Sequence, residues 1–213
     1  MSKMTNFRKI ITQTMGELSK KDFDGALPYL MLTSKSESVM RDLLAFRLQR
    51  KLQPAEHQIN GPYAVAREWK RADIVVPTPN GPRRYDSFKT PKVIIEIKMV
   101  AAPGKNGKAV IGQINSLADQ LGNRKKQWRN AELFGLLAVR IFSEAHPNST
   151  SAFDEVIIHR KKSLKPVMDL DRTVKNEAKQ LGFLWAKPRT FVCGEDKFLR
   201  ATVNLKWWLF SLR

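Results

Sequence analysis

Asp73 in "RADIVVP" (71–77) and Glu96 in "KVIIEIKMV" (92–100) are carboxylates set into otherwise apolar runs, and Lys98 follows Glu96 by two residues. Strand side chains alternate between faces, so Ile95, Ile97 and Met99 share one side while Ile94, Glu96 and Lys98 share the other. A solvated edge strand would be polar along one whole face, which Val93 to Ile95 do not allow. The charges therefore belong to a cleft rather than to a general surface. Asp73 points away from Ala72, Ile74 and Val76 by the same alternation.

If the two runs pair as a hairpin around a tip near Arg84 and Tyr85, Pro77 and Lys92 lie equally far from that tip and Asp73 falls opposite Glu96. Two carboxylates held together repel unless a proton or a cation intervenes. In a basic chain that points to Mg²⁺, which takes one or two carboxylates together with waters and substrate phosphate oxygens; Mn²⁺ is the natural substitute. Lys98, on the same face, is placed to orient or deprotonate an attacking water and to neutralise charge in a phosphoryl transition state. The competing structural reading is a buried salt bridge, which leaves one of the two acids unpaired. Other acids have plainer roles. Asp86 lies in a loop beside Arg83 and Arg84, Glu56 and Glu68 lack an apolar setting, and Asp169 and Asp171 are explained by helix capping.

The elements that position these groups are readable from periodicity. "TSKSESVMRDLLAFRLQRKLQP" predicts a helix from about Ser36 to Leu52, with Met40, Leu44 and Leu48 in one stripe and Pro54 as a stop. A short strand near "PYAVARE" and a clearer one at "RADIVVP" follow, then a Pro-, Gly- and Asn-rich loop and the strand that carries Glu96. Residues 109–122 place Val110, Ile114, Leu117 and Leu121 at helical spacing and close on Gly122. "ELFGLLAVRIFS" predicts a central strand and "FDEVIIHR" another. Beyond residue 161, "DLDRTVKNEAKQLG" predicts a helix capped by Asp171 and stopped by Gly182, with Arg172, Lys175 and Lys179 as a basic flank. "FLRATVNLKWWLFSLR" is aromatic enough to pack against the core or a second subunit. Residues 1–32 form a helical or irregular preface.

The chain as a whole narrows the partners. Its 213 residues carry 38 Lys and Arg against 20 Asp and Glu, a formal charge of +18, and 42% hydrophobic residues support a folded domain. The excess is spread along the chain, so the folded surface rather than a disordered tail is expected to face a polyanion. One cysteine, Cys193, excludes an internal disulfide framework, and His57, His146 and His159 lack ligand spacing. With no apolar run near the ~18 residues of a membrane span, the expected setting is cytoplasmic, without a membrane partner.

Asp73, a loop, and then Glu96-Ile97-Lys98 resemble the PD-(D/E)XK signature of the restriction-endonuclease-like nuclease superfamily, over roughly residues 36–142, with Ala72 in place of the proline that precedes the first acid. That resemblance implies an α/β (α+β) fold with an αβββαβ core, a mixed sheet flanked by helices, within a single domain whose core spans 36–160. A helical N-terminal appendage and a basic C-terminal extension (161–213) complete it. It further implies that Asp73, Glu96 and the Ile97 carbonyl hold the metal, that Lys98 serves the water, that Glu37 is the first-helix acid reaching towards the metal, and that Gln113 is the glutamine of the following helix. Glu37 has a second reading, since Ser34-Lys35-Ser36-Glu37 is also a capping box. The implied activity is Mg²⁺-dependent hydrolysis of DNA, by a sequence- or structure-specific double-strand cutter working as a homodimer. The alternatives are an exonuclease or repair nuclease, or a non-catalytic nucleic-acid-binding module on the same fold. Arg83, Arg84, Lys105, Lys108, Lys125 and Lys126 are the candidate phosphate contacts, and Trp128 in "GNRKKQWR" borders them.

Overall fold

The structure is a computed structural model that describes residues 6–17, 36–52, 65–77, 90–100, 107–144, 170–185, 189–196 and 201–212. It is a mixed α/β fold. Among the described residues there are helices α1 (Phe7–Gly16), α2 (Ser36–Leu52), α3 (Lys108–Gln127) and α4 (Leu170–Gln180). The strands are β1 (Ala66–Trp69), β2 (Ala72–Pro77), β3 (Pro91–Val100), β4 (Glu132–Glu144), β5 (Phe183–Trp185), β6 (Arg189–Asp196) and β7 (Ala201–Leu212). No described helix is long and apolar enough to cross a membrane.

One seven-stranded mixed sheet runs in the order β1-β2-β3-β4-β7-β5, with β6 also pairing β7. β1, β2 and β3 are antiparallel neighbours, whereas β3 and β4 are parallel and joined through α3. A parallel pair needs such a crossover, because a tight turn can only reverse the chain.

Alternation along the strands sends side chains into two cores. Ile74, Val76, Val93, Ile95, Ile97, Phe134, Leu136 and Ala138 pack under α1 and α2, where Phe7, Ile11, Met15, Met40, Leu44 and Leu48 form the apolar stripes. On the opposite face Val75, Ile94, Leu133, Leu137 and Val139 pack under α3 and α4, against Val110, Ile114, Leu117, Leu121, Val174 and Ala178. Asn6 caps α1, its side chain accepting from Lys9 N–H at 3.0 Å.

Three expectations are corrected. The helix expected to stop at Gly122 runs on to Gln127, and Arg124, Lys125 and Lys126 occupy its last turn. A helical glycine costs only about 1 kcal/mol, and cations at a helix C-terminus offset part of it. Asp171 lies inside the first turn of α4, where it pairs with Lys206 of β7. Gly182, at φ +72°, ends that segment as expected. Most consequential is the C-terminal segment, assigned to an extension of the core though expected to pack on it or on a second subunit; the packing holds, but the segment belongs to the sheet itself. β7 lies inside the sheet, paired with β4 over residues 201–211, and buries Leu205, Trp207, Trp208, Leu209 and Phe210. The two tryptophans are consecutive and so enter opposite cores. The strand expected at "FDEVIIHR" lies outside the described residues.

Candidate active site

The β2–β3 pairing joins Ile74 to Ile95, Val75 to Ile94 and Val76 to Val93, with a shift at Pro77, which meets Pro91 rather than Lys92. Continuing the regular register by one step sets Asp73 against Glu96, but the recorded pairs end at Ile74. The β1–β2 ladder is also interrupted at this level. It pairs Arg67 with Ile74 and Trp69 with Ala72, while Glu68 between them has φ +53°. Asp73 thus sits one step beyond the last β2–β3 pair and opposite Glu68, whose backbone is left-handed. Ala72 is drawn into the α3-side core, against the simple alternation expected of it.

The opened backbone is satisfied by side chains. Asp73 Oδ2 accepts from Ile97 N–H at 2.7 Å, and Glu37 Oε2 accepts from Met99 N–H at 3.2 Å. These bonds fix both carboxylates to β3. Glu37 therefore reaches from the first turn of α2 to the end of β3, while the capping-box residues Ser34 and Lys35 lie outside the described residues.

Glu96 is 1% exposed. Burial pushes its carboxyl up from the ordinary value of 4.5, and the nearby Asp73 carboxylate acts in the same direction. Arg124 and the Asp73 backbone N–H, which donates to Glu96, pull the other way. The influence of Asp73 on Glu96, through both its carboxylate and its backbone N–H, makes the two residues close neighbours.

Glu96's cation partner is Arg124, with Nε to Oε1 at 2.6 Å, and not Lys98. Lys98 Nζ stands 3.9 Å from Glu37 Oε1, its side chain 15% exposed. Arg124 also donates to the Lys70 carbonyl at 3.1 Å and lies 5.7 Å from the Trp128 ring centroid. It joins α3 to the β1–β2 turn directly over the buried acid. Gly135, which pairs with Glu96 across the β3–β4 ladder, brings α3 into this position. A Cβ there would meet Leu121 at 3.1 Å and Leu117 at 3.5 Å, so glycine allows the helix to settle close to the strand.

The remaining candidates disperse. Ile97 donates its N–H to Asp73 and turns its side chain into the α2-side core. Gln113 is half-buried on α3, and Leu117, one turn on, is core. Lys108, Lys125 and Lys126 are exposed on α3, and Lys125 lines a separate cavity of about 370 Å³ with Arg8 and Arg129. Arg83, Arg84 and Lys105 lie outside the described residues. Among the described residues no three Asp, Glu, His or Cys side chains converge as a metal cluster. Glu37 accordingly stands beside the Asp73–Glu96 pair rather than completing a triad with it.

Sequence reasoning missed Arg124 and the turn residues Lys70 and Arg71. All three lie in charged stretches where type and spacing do not mark a buried contact. The turn holds Lys70 at φ +49° and Arg71 at φ +66°, both exposed, between the paired residues Trp69 and Ala72. Two positive φ values in a two-residue hairpin are the type I′ geometry, which ordinarily selects Asn-Gly. No protein-family model matches the chain, and neither a curated protein nor a solved structure shows detectable similarity to it.

Proposed function

We propose that the chain is a Mg²⁺-dependent nuclease that hydrolyses DNA phosphodiesters, with Asp73 and Glu96 as the metal-holding pair. The observation that carries this reading is a buried Glu96 whose neighbour Asp73 is held against the same strand by the Ile97 N–H. Lys98 follows on the same strand face. The helix–strand–strand–strand–helix–strand order from α2 to β4 supports it, as does the resemblance of Asp73…Glu96-Ile97-Lys98 to the PD-(D/E)XK signature.

The donor set fits a hard cation. Both acids offer oxygen ligands, and Glu96 already takes a cationic partner in the Arg124 guanidinium. A bound Mg²⁺ supplies a more acidic coordinated water and charge neutralisation at phosphorus. The chain's own residues do the rest. Ile97 N–H holds the Asp73 carboxylate in one orientation. Glu37, itself fixed by Met99 N–H, sets the position of the Lys98 ammonium, which orients the attacking water and meets charge developing on the phosphate. The exposed Lys70 and Arg71, with the basic last turn of α3, bind the nucleic-acid backbone beside the cleft. Duplex DNA is the proposed substrate, and cutting both strands calls for two copies of the site, hence a homodimer.

A non-catalytic nucleic-acid-binding module is the second reading, favoured by the Arg124–Glu96 ion pair, which already compensates the buried acid. Plasmid incubated with Mg²⁺, and in parallel with EDTA, separates the two. The nuclease reading expects metal-dependent nicking that falls by about 10²- to 10⁴-fold in Lys98→Ala. It expects comparable losses in Asp73→Asn and Glu96→Gln, with DNA binding retained. DNA binding without nicking, at any Mg²⁺ or Mn²⁺ concentration, selects the binding module.

A further inference from the structure

We propose that Arg124 is the resident counter-cation of the site, occupying Glu96 in the metal-free protein and competing with a divalent cation for that carboxylate. The inference rests on the reading of Asp73 and Glu96 as metal ligands, and goes beyond it by assigning a role to a residue on another element.

The first ground is contact. Arg124 Nε lies 2.6 Å from Glu96 Oε1, so one lone pair of that oxygen is committed to the guanidinium and the carboxylate's charge is partly compensated by it. The second is burial. Glu96 is 1% exposed, so solvent cannot take over as its partner, and a departing guanidinium must be replaced by another cation or by a proton. Lys98, the nearest cation in sequence on this face, is drawn to Glu37 instead.

The third ground is that Arg124 has other partners when it leaves. It hydrogen-bonds the Lys70 carbonyl and approaches the Trp128 ring, both at the outer edge of the site. Its stem rises from the last turn of α3, beside the exposed Lys125 and Lys126. Releasing Glu96 therefore does not strand the guanidinium in an apolar environment. Asp73 and Glu96 together carry two negative charges and Arg124 offers one positive charge, whereas a divalent ion balances both. Exchange is thus favourable in charge, and its cost is the broken Arg124–Glu96 bond.

The test is Mn²⁺ titrated calorimetrically, without nucleic acid, into the full chain as wild type, Arg124→Gln, Arg124→Lys and Asp73→Asn. Folding of each variant is checked by circular dichroism. Competition predicts that Arg124→Gln binds Mn²⁺ more tightly than wild type, by about 5- to 150-fold, the span of ordinary coupling between two ligands of one site. Its melting temperature should also rise further on adding Mn²⁺. Arg124→Lys keeps a charge but loses the planar fork, and falls between the two; if Arg124→Gln does not fold, the lysine variant carries the comparison. Equal or weaker Mn²⁺ binding by the folded variants overturns the competition and leaves the metal-site reading standing. Absence of saturable binding sensitive to Asp73→Asn in every variant overturns both.

Discussion

Glu96 is where charge, burial and strand geometry meet. Its folded carboxyl is raised, first by burial and then by Asp73, against the pull of Arg124. The sign of the linkage follows. A raised carboxyl binds its proton more readily in the folded state, so its contribution to stability is full below the ordinary value of 4.5 and is lost as pH rises through the folded value. Melting curves in EDTA across that interval should show wild type losing stability relative to Glu96→Gln as pH increases. A difference between the two that is independent of pH, or that grows in favour of wild type, contradicts the assigned cause. Lys98 and Glu37 illustrate a different point at this scale. Their 3.9 Å separation is a loose ion pair at a partly exposed position, worth little to stability, so their importance lies in orientation rather than in holding the fold.

Among the elements, the β1–β2 hairpin carries the clearest conflict between local preference and local sequence. Lys70 and Arg71 adopt left-handed backbone conformations that cost non-glycine residues about 1 to 2 kcal/mol each. Two exposed cations are thus maintained in a turn that Asn-Gly would relax, at the edge of the site and above the carbonyl that Arg124 uses. The double change Lys70→Asn, Arg71→Gly keeps that carbonyl. It should stabilise the protein by about 1 to 2 kcal/mol in urea unfolding while weakening DNA binding in a gel-shift assay at fixed salt. A less stable variant, or one that binds DNA as well as wild type, means that the turn is not held for its charges. The α3–β4 contact is the complementary case. Gly135 removes a side chain so that Leu117 and Leu121 can approach, and α3 consequently carries Arg124 over Glu96.

For the whole molecule, the seven-stranded sheet distributes the site and its support over most of the chain. β3 and β2 present the acids, α2 and α3 supply Glu37 and Arg124, and β4 stands between this half and β7. Because β7 contributes Leu205, Trp207, Trp208, Leu209 and Phe210 to both cores, a chain ending at residue 200 should lose the cooperative unfolding transition altogether. A truncated chain that still melts cooperatively and keeps its near-ultraviolet aromatic signal would show that the N-terminal half folds alone. The net charge of +18 belongs to this scale too. Among the described residues its exposed cations include Lys70 and Arg71 of the β1–β2 turn, Lys108, Lys125 and Lys126 of α3, and Arg172, Lys175 and Lys179 of α4, so it acts as a field rather than as one contact.

The sequence alone determined the local elements: the apolar stripe of α2, the apolar alternation of β3 and β4, and the antiparallel pairing of β2 with β3. These follow from period, a local property, whereas the symmetric loop is set aside by the shift at Pro77 and the pairs end at Ile74, one step before Asp73. Three matters were decided only by tertiary structure. Glu96 takes Arg124 rather than its strand neighbour Lys98, because a helix laid over a glycine brings a distant guanidinium closer to the acid than its own strand does. Lys70 and Arg71 form the turn, because the pairing of β1 with β2 imposes a backbone that their side chains do not favour. The aromatic C-terminus, whose composition announces that it packs, becomes an inner strand because β4 offers it an edge to pair with and two apolar cores to fill, which is a property of β4 and not of residues 201–212.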